Sequence, residues 1–239
     1  MKLEQPLIEG RLVRRYKRFF TDVELESGEI EVAHCPNTGS LRGCLEPGSK
    51  VWLRDTQDPK RKLRCSFQAV QVGRTWVNVD TNLPNRTVRD EVERGRVPEL
   101  SGYATVRAEV KYGTGSRIDL LLEDPGRPPC WVEIKNTTLA EGRLARFPDA
   151  VTSRGLKHLG ELVERVAAGD RAVQFFFVSR SDVDRFEPAD EIDPKYAAGL
   201  REAAAAGVEV IAYRAKVERD SIALDAPLEV NLGTPTSTR

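Results

Sequence analysis

From Ala172 to Ser179 the chain reads Ala-Val-Gln-Phe-Phe-Phe-Val-Ser, an almost unbroken apolar run. A segment this short and this apolar is a strand covered on both faces. Its neighbours say by what. Thr152 or Ser153 can cap a helix running to about Ala168, with Leu156, Leu159, Leu162, Val163 and Val166 as its apolar stripe. After the run, Lys195 to Ala206 reads as a second helix ended by Gly207, and Val208 to Tyr213 as another central strand. Three further strands precede them, at Ala104–Tyr112, Arg117–Glu123 and Cys130–Lys135, behind a helical stretch from Asn85 to Arg94. The expected unit is an α/β domain with a mixed sheet over residues 85–232. Asn136 to Pro148 has no clear periodicity and is expected to be a loop lying over the end of the preceding strand. A polar tail, 233–239, is expected to fray.

The first third has a different texture. Gly10–Phe20, Asp22–Glu26, Glu29–Ala33, Lys50–Leu53, Arg64–Val72 and Thr75–Val79 are strand-like, and Ser27-Gly28 marks a hairpin turn. Short strands divided by glycine-rich turns over residues 1–84 predict a five-stranded closed barrel of the oligonucleotide-binding type, with a small β-sandwich as the alternative. Cys35, Cys44, Cys65 and Cys130 form no Cys-x-x-Cys pair. Together with His34 they lack the number and spacing of a zinc site, and they read as packing residues.

Charge narrows the partner. The 239 residues carry 37 Lys+Arg and 37 Asp+Glu, so a generic polyanion binder is excluded and any nucleic-acid contact must be local. Residues 1–84 hold 14 Lys+Arg against 11 Asp+Glu, a net +3, which leaves −3 for the remainder. No apolar run approaches the ~20 residues that cross a bilayer, and Met1–Pro6 lacks signal-peptide character. A cytoplasmic protein without a membrane partner is expected.

The chemistry is concentrated in Gly115-Ser116-Arg117-Ile118-Asp119 and Glu133-Ile134-Lys135. Strand alternation puts Glu133 and Lys135 on one side, Val132 and Ile134 on the other. In the same way Ile118, Leu120 and Leu122 share a face that Asp119 does not. A hairpin between the two strands brings Asp119 beside Glu133. Two carboxylates meeting at one point repel unless a cation joins them, and hard oxygen donors suit Mg²⁺, or Mn²⁺. A neighbouring Lys can orient water and steady charge building on a phosphate. Such a set suits metal-assisted phosphodiester hydrolysis.

This pattern, set in strand–strand–strand–helix–strand order, resembles the PD-(D/E)xK nuclease superfamily. The resemblance implies Asp119 as the metal-binding acid, Glu133 and Lys135 as the E-x-K pair, and Glu109 as a further upstream acid; Ile118 stands where the superfamily name has Pro. Longer stretches are similar to the sugar fermentation stimulation protein A (SfsA) family from about Pro6 to Val217. They are Arg15–Phe19, Ala33–Ser40, Gly43–Gly48, Gly115–Asp119, Val132–Thr138 and Gly155–Leu162. That resemblance implies an N-terminal oligonucleotide-binding barrel joined to a nuclease-like domain. It also implies DNA binding and a link to sugar (maltose) utilisation in bacteria.

Candidate nucleic-acid contacts follow from the first domain. Arg11, Arg14, Arg15, Lys17 and Arg18 interleave with Tyr16, Phe19 and Phe20, a pattern that suits single strands. Phe19 and Phe20 are expected to be core residues. A second basic run lies at Lys60-Arg61-Lys62 and Arg64. From the second domain, Arg117 is a candidate, as are Arg154 and His158 on a helix face shared with Glu161 and Arg165. That face either meets nucleic acid or is a solvated charged face. Gln174 either reaches the metal site or makes an edge hydrogen bond. The leading expectation is a DNA-binding, Mg²⁺-dependent nuclease, with single-stranded DNA or RNA as possible substrates. The alternative is a non-catalytic DNA-binding regulator on a nuclease scaffold. An enzyme acting on sugar finds no paired-carboxylate cleft to support it.

Overall fold

In the computed structural model, residues 1–4, 6–112 and 115–233 are described. The tail expected at 233–239 lies outside them, apart from Gly233. Six strands occupy the first third: β1 (Leu7–Tyr16), β2 (Phe20–Leu25), β3 (Ile30–His34), β4 (Lys50–Asp55), β5 (Cys65–Val72) and β6 (Thr75–Asn78). Their order is β3-β2-β1-β4-β5-β6, and β3 also pairs with β5, so β1 to β5 close a five-stranded barrel. The sixth strand is a hairpin partner of β5 outside that ring. Leu12, Val23, Val51, Leu53, Phe67 and Val70 fill the interior, and a β-bulge between β4 and β5 lets Phe67 and Val70, three residues apart, both face it. All four cysteines are buried and free.

The second part begins with α1 (Leu83–Glu93) and a short 3-10 turn, Pro98–Leu100. Then come β7 (Thr105–Tyr112), β8 (Ser116–Asp124), β9 (Arg127–Thr137), β10 (Ala140–Glu141), β11 (Leu144–Phe147) and α2 (Ser153–Ala167). They are followed by β12 (Arg171–Val178), β13 (Arg185–Pro188), α3 (Pro194–Ala205), β14 (Glu209–Val217), β15 (Ile222–Pro227) and β16 (Glu229–Val230). The main sheet runs β15-β14-β12-β9-β8-β7, with β12 parallel to both its neighbours and the outer pairs antiparallel. It is the mixed sheet expected.

The apolar run is β12, buried on both faces. Val173, Phe175 and Phe177 enter one core, Ala172, Phe176 and Val178 the other. Full burial of each aromatic ring is worth about 2–3 kcal/mol, which makes this strand the centre of the domain. The second core packs α2 and α3 over the sheet. Gly199 permits their close approach, because a Cβ there would lie 2.5 Å from Leu156 Cδ1. Thr152 Oγ1 accepts the Gly155 N–H to cap α2, and Asp193 caps α3 while also receiving the Thr152 N–H.

The first core crosses the boundary expected at residue 84. Leu7, Trp52 and Ala69 of the barrel join Leu83, Val88, Val217 and Ile222, and Trp52 stacks on Trp76 at 3.6 Å. The two units are therefore packed through shared apolar surface.

Three local expectations need correction. The stretch 136–148 is no plain loop: β10 and β11 join β13 and β16 in a small second sheet, held by pairings with chain some 40 residues away. Strands β13, β15 and β16 carry too little alternation to be read beforehand. Finally, Ile118 packs in the second core whereas Leu120 and Leu122 pack in the first, so alternation along β8 breaks at Asp119.

Candidate functional site

The pairing of β8 with β9 runs from Asp124↔Arg127 to Leu120↔Val132. At the next step, Asp119 Oδ2 receives the Ile134 N–H at 2.6 Å. Its other oxygen takes the Asn85 side-chain amide from α1 at 2.7 Å. Asp119 is thus held from a strand and from a helix, half-buried at the end of the ladder.

Glu133 is buried on the face covered by α2. Its Oε1 accepts from Lys135 Nζ at 2.5 Å and is in direct contact with His158 Nδ1. Arg154 Nε donates to His158 Nε2 at 3.3 Å. An Nε2 that accepts and an Nδ1 facing a carboxylate together assign the Nδ1–H tautomer. The Oε2 atom of Glu133 is buried with no hydrogen-bond partner among the described residues. One oxygen is saturated and the other bare.

Burial, then the charge of Glu133, pushes the Asp119 carboxyl up to about 7, against the Ile134 N–H, Lys135 and Asn85. Burial acts on Glu133 in the same sense, yet His158 and Lys135 outweigh it and hold Glu133 below the usual range. The two acids are near enough for each to feel the other. Tyr112 completes the neighbourhood: burial, the charges of Glu133 and Glu161, a hydrogen bond with Glu161 and the charge of Asp119 raise its hydroxyl. Glu161 accepts from Ser116 Oγ at 2.7 Å.

The donor set fits a small hard cation. Asp119 and the bare oxygen of Glu133 are the two carboxylates that Mg²⁺ commonly takes from protein, the remainder of its shell being water and substrate phosphate. Among the described residues no three His, Cys, Asp or Glu side chains converge as metal ligands. Glu109 lies on β7 between Ala108, paired with Leu120, and Val110, paired with Ile118, so it faces Asp119 in register. Its side chain is exposed, and its φ of +56° is a strained conformation for Glu.

His158 does not lie on an open face: it is 4% exposed and turned inward to Glu133. The reading of its helix face as solvated fails for Glu161 as well, which is buried, whereas Arg154 remains exposed. Arg165 covers the Trp131 ring. Gln174 Nε2 donates to the Glu133 backbone carbonyl at 3.0 Å. Arg117 is exposed. Asn85 and Tyr112 were not singled out in the sequence, because the Asn85 contact spans 34 residues and Tyr112 ends a strand in an ordinary core position.

The barrel cluster separates into two groups. Arg14 pairs with Asp22 at 2.7 Å and lies over Tyr16, which stacks on Phe20. Arg15 donates to the carbonyls of Arg18, Asn37 and Ser40, a structural clamp. Arg11 donates to Gly48 O from an exposed position. Lys17 and Arg18 form the β1–β2 turn with φ of 49° and 63°, each in the left-handed region at a cost of about 1–2 kcal/mol. Phe19 beside them is 47% exposed, against the expectation of a core residue.

Comparison with known proteins agrees with this architecture. Residues 13–79 match the SfsA N-terminal OB domain, and residues 82–221 the sugar fermentation stimulation protein RE domain. A sugar fermentation stimulation protein homolog of Geobacter sulfurreducens is 53% identical, covering 98% of this chain and 100% of its own. One from Maricaulis maris is 52% identical, covering 97% and 99%. The solved structure of Pyrococcus furiosus SfsA in complex with Ca²⁺ superposes with a TM-score of 0.86 at 31% identity, covering 97% of this chain and 99% of that one. With two family domains in series and full-length relatives above half identity, the chain belongs to the sugar fermentation stimulation protein family.

Proposed function

We propose that the protein is a Mg²⁺-dependent nuclease that hydrolyses phosphodiester bonds in DNA. The observation that carries this reading is the pairing of Asp119 with Glu133, whose second oxygen is buried and bare beside Lys135. A scaffold alone gains nothing from such an arrangement, since an unpaired buried carboxylate oxygen costs stability. The binding of Ca²⁺ by the Pyrococcus furiosus relative supports a cation site in this fold.

Asp119 and Glu133 Oε2 would hold the cation. When bound, it would supply Lewis-acid stabilisation of the scissile phosphate and a more acidic water. The chain's own residues do the rest. Asn85 and the Ile134 N–H fix the Asp119 carboxylate, and His158 fixes Glu133 so that its free oxygen keeps one direction. Lys135 Nζ, in contact with Glu133 Oε1, would offset the negative charge that builds on an attacked phosphate and orient water with its protons. Arg154, exposed and joined to His158, is placed to meet a phosphate oxygen.

Titrating Mg²⁺ or Mn²⁺ into the pure protein with single- and double-stranded DNA tests the reading. Metal-dependent cleavage lost in Asp119→Ala is the expected result. DNA binding without cleavage at any metal concentration would instead make the protein a non-catalytic binder, in keeping with a regulator of sugar utilisation.

A further inference from the structure

Barrel and mixed sheet face one another across a cleft of about 570 Å³. This is the size of a small-ligand site. A cavity of that volume encloses a drug-sized group such as a nucleotide or two, not a double helix. The cleft lies at the carboxyl ends of the parallel strands β9 and β12, where open α/β sheets receive ligands. Asn136, the residue after Lys135, lines it and is fixed by Ser179 Oγ at 2.5 Å. Thr81, just ahead of the helix whose Asn85 grips Asp119, lines the same space.

Hydrogen bonds tie the two walls together. Ser40 Oγ donates to the Asp149 carbonyl at 2.7 Å and the Leu41 N–H to its carboxylate at 2.8 Å. Thr81 Oγ1 joins Pro36 O at 3.1 Å, and the apolar core shared by both units lies behind. Asp149 therefore spends its charge on the latch, and the cations of the cleft are Arg15 and Arg18. Arg15 is committed to backbone carbonyls, among them that of Arg18, so it holds the strained turn that presents Arg18. Among the described residues Arg18 has no ion-pair partner. Val151, 77% exposed, lines the lip of this opening, and Phe19, 47% exposed, follows Arg18 in the chain. Cation, hydrogen-bonding floor and apolar lips are the parts that hold a phosphate and an unstacked base.

We propose that this cleft receives the unpaired end of a nucleic-acid strand and delivers it to the Asp119–Glu133 pair, which makes single-stranded or frayed nucleic acid the substrate. The proposal rests on the nuclease reading for its chemistry, although its binding step is independent of metal.

The test uses fluorescence anisotropy in EDTA, where no cleavage occurs, with a labelled oligothymidine and a blunt duplex of equal length. The single strand is expected to bind at least about tenfold more tightly. Ala150→Trp, an exposed position within the cleft, fills it; Thr38→Trp fills it from the opposite wall should the first variant not fold. Either, like Arg18→Ala, is expected to weaken single-strand binding about tenfold, leaving duplex binding within about twofold and calorimetric Mn²⁺ binding unchanged. A folded Trp variant that binds the single strand as the parent does, or a preference for blunt duplex, overturns the proposal. Failure of the nuclease reading would look different: these binding differences would persist with no Mg²⁺-dependent cleavage. Undiminished cleavage in the Trp variants would sink the cleft alone.

Discussion

His158, buried on α2, turns its Nδ1 onto Glu133 Oε1, while Glu133 Oε2 has no partner among the described residues. The contact joins a helix to a strand 25 residues away and divides the carboxylate into a hydrogen-bonded oxygen and a bare one. His158→Ala removes a buried donor from a charged acceptor. It is expected to lower unfolding free energy by about 1–3 kcal/mol and to weaken Mn²⁺ binding, while His158→Gln restores part of both. Urea unfolding alongside calorimetry checks it; an unchanged midpoint in His158→Ala would show that the contact carries no weight.

Asp119→Ala is expected to abolish metal-dependent cleavage while sparing or strengthening DNA binding, since a carboxylate facing phosphate is gone. Lys135→Ala should reduce turnover by about 10²–10³-fold with a smaller change in metal affinity. Single-turnover rates and separate metal titrations distinguish the two. Equal loss of binding and cleavage in folded Asp119→Ala would contradict this division of roles.

Salt dependence should report the strained turn and not the whole arginine cluster. Lys17→Ala and Arg18→Ala are each expected to flatten the slope of log K against log[salt] by roughly 0.7–0.9. Arg14→Ala should leave it nearly unchanged, because Asp22 already offsets that charge. Arg15→Ala should act through stability, by freeing three carbonyls it now holds. Anisotropy at several salt concentrations decides between the residues.

Arg180 is buried, donates to the Thr138 carbonyl and pairs with Asp182 at 2.7 Å. Burial works against ionisation of Asp182, but the guanidinium prevails and holds its carboxyl below the usual range. A depressed folded value means that the stabilisation is complete above the unfolded value near 3.9 and is lost as pH falls through the folded one. Asp182→Asn should therefore cost about 1–3 kcal/mol at pH 7 and progressively less as pH falls through the folded value. Denaturation midpoints at pH 7 and below the folded value test the sign.

How the site could be read beforehand differs from residue to residue. Glu133 and Lys135 share a face because strand alternation is a local rule, and Asp119 comes near them because a hairpin brings its own strands into register, although alternation along β8 breaks there. Asn85 and Tyr112 were not legible, since nothing in their immediate sequence marks a partner far along the chain. His158 was noticed but turned the wrong way. Helical spacing groups it with Arg154 and Arg165, yet the strand beneath α2 offers Glu133, and a carboxylate in a dry site binds an imidazole more strongly than water does.

The sequence by itself determined the closed barrel, the mixed sheet and the apolar centre at β12, because periodicity and apolar runs act through neighbours a few residues apart. Tertiary structure alone decided which charges are spent and which remain. Arg14, Arg15 and Asp149 are consumed by partners 8, 22 and 108 residues away, while among the described residues Arg18 has no ion-pair partner and one oxygen of Glu133 is bare. Such pairings form only where packing brings distant segments into hydrogen-bond range, and the chain order of the residues carries no record of that distance.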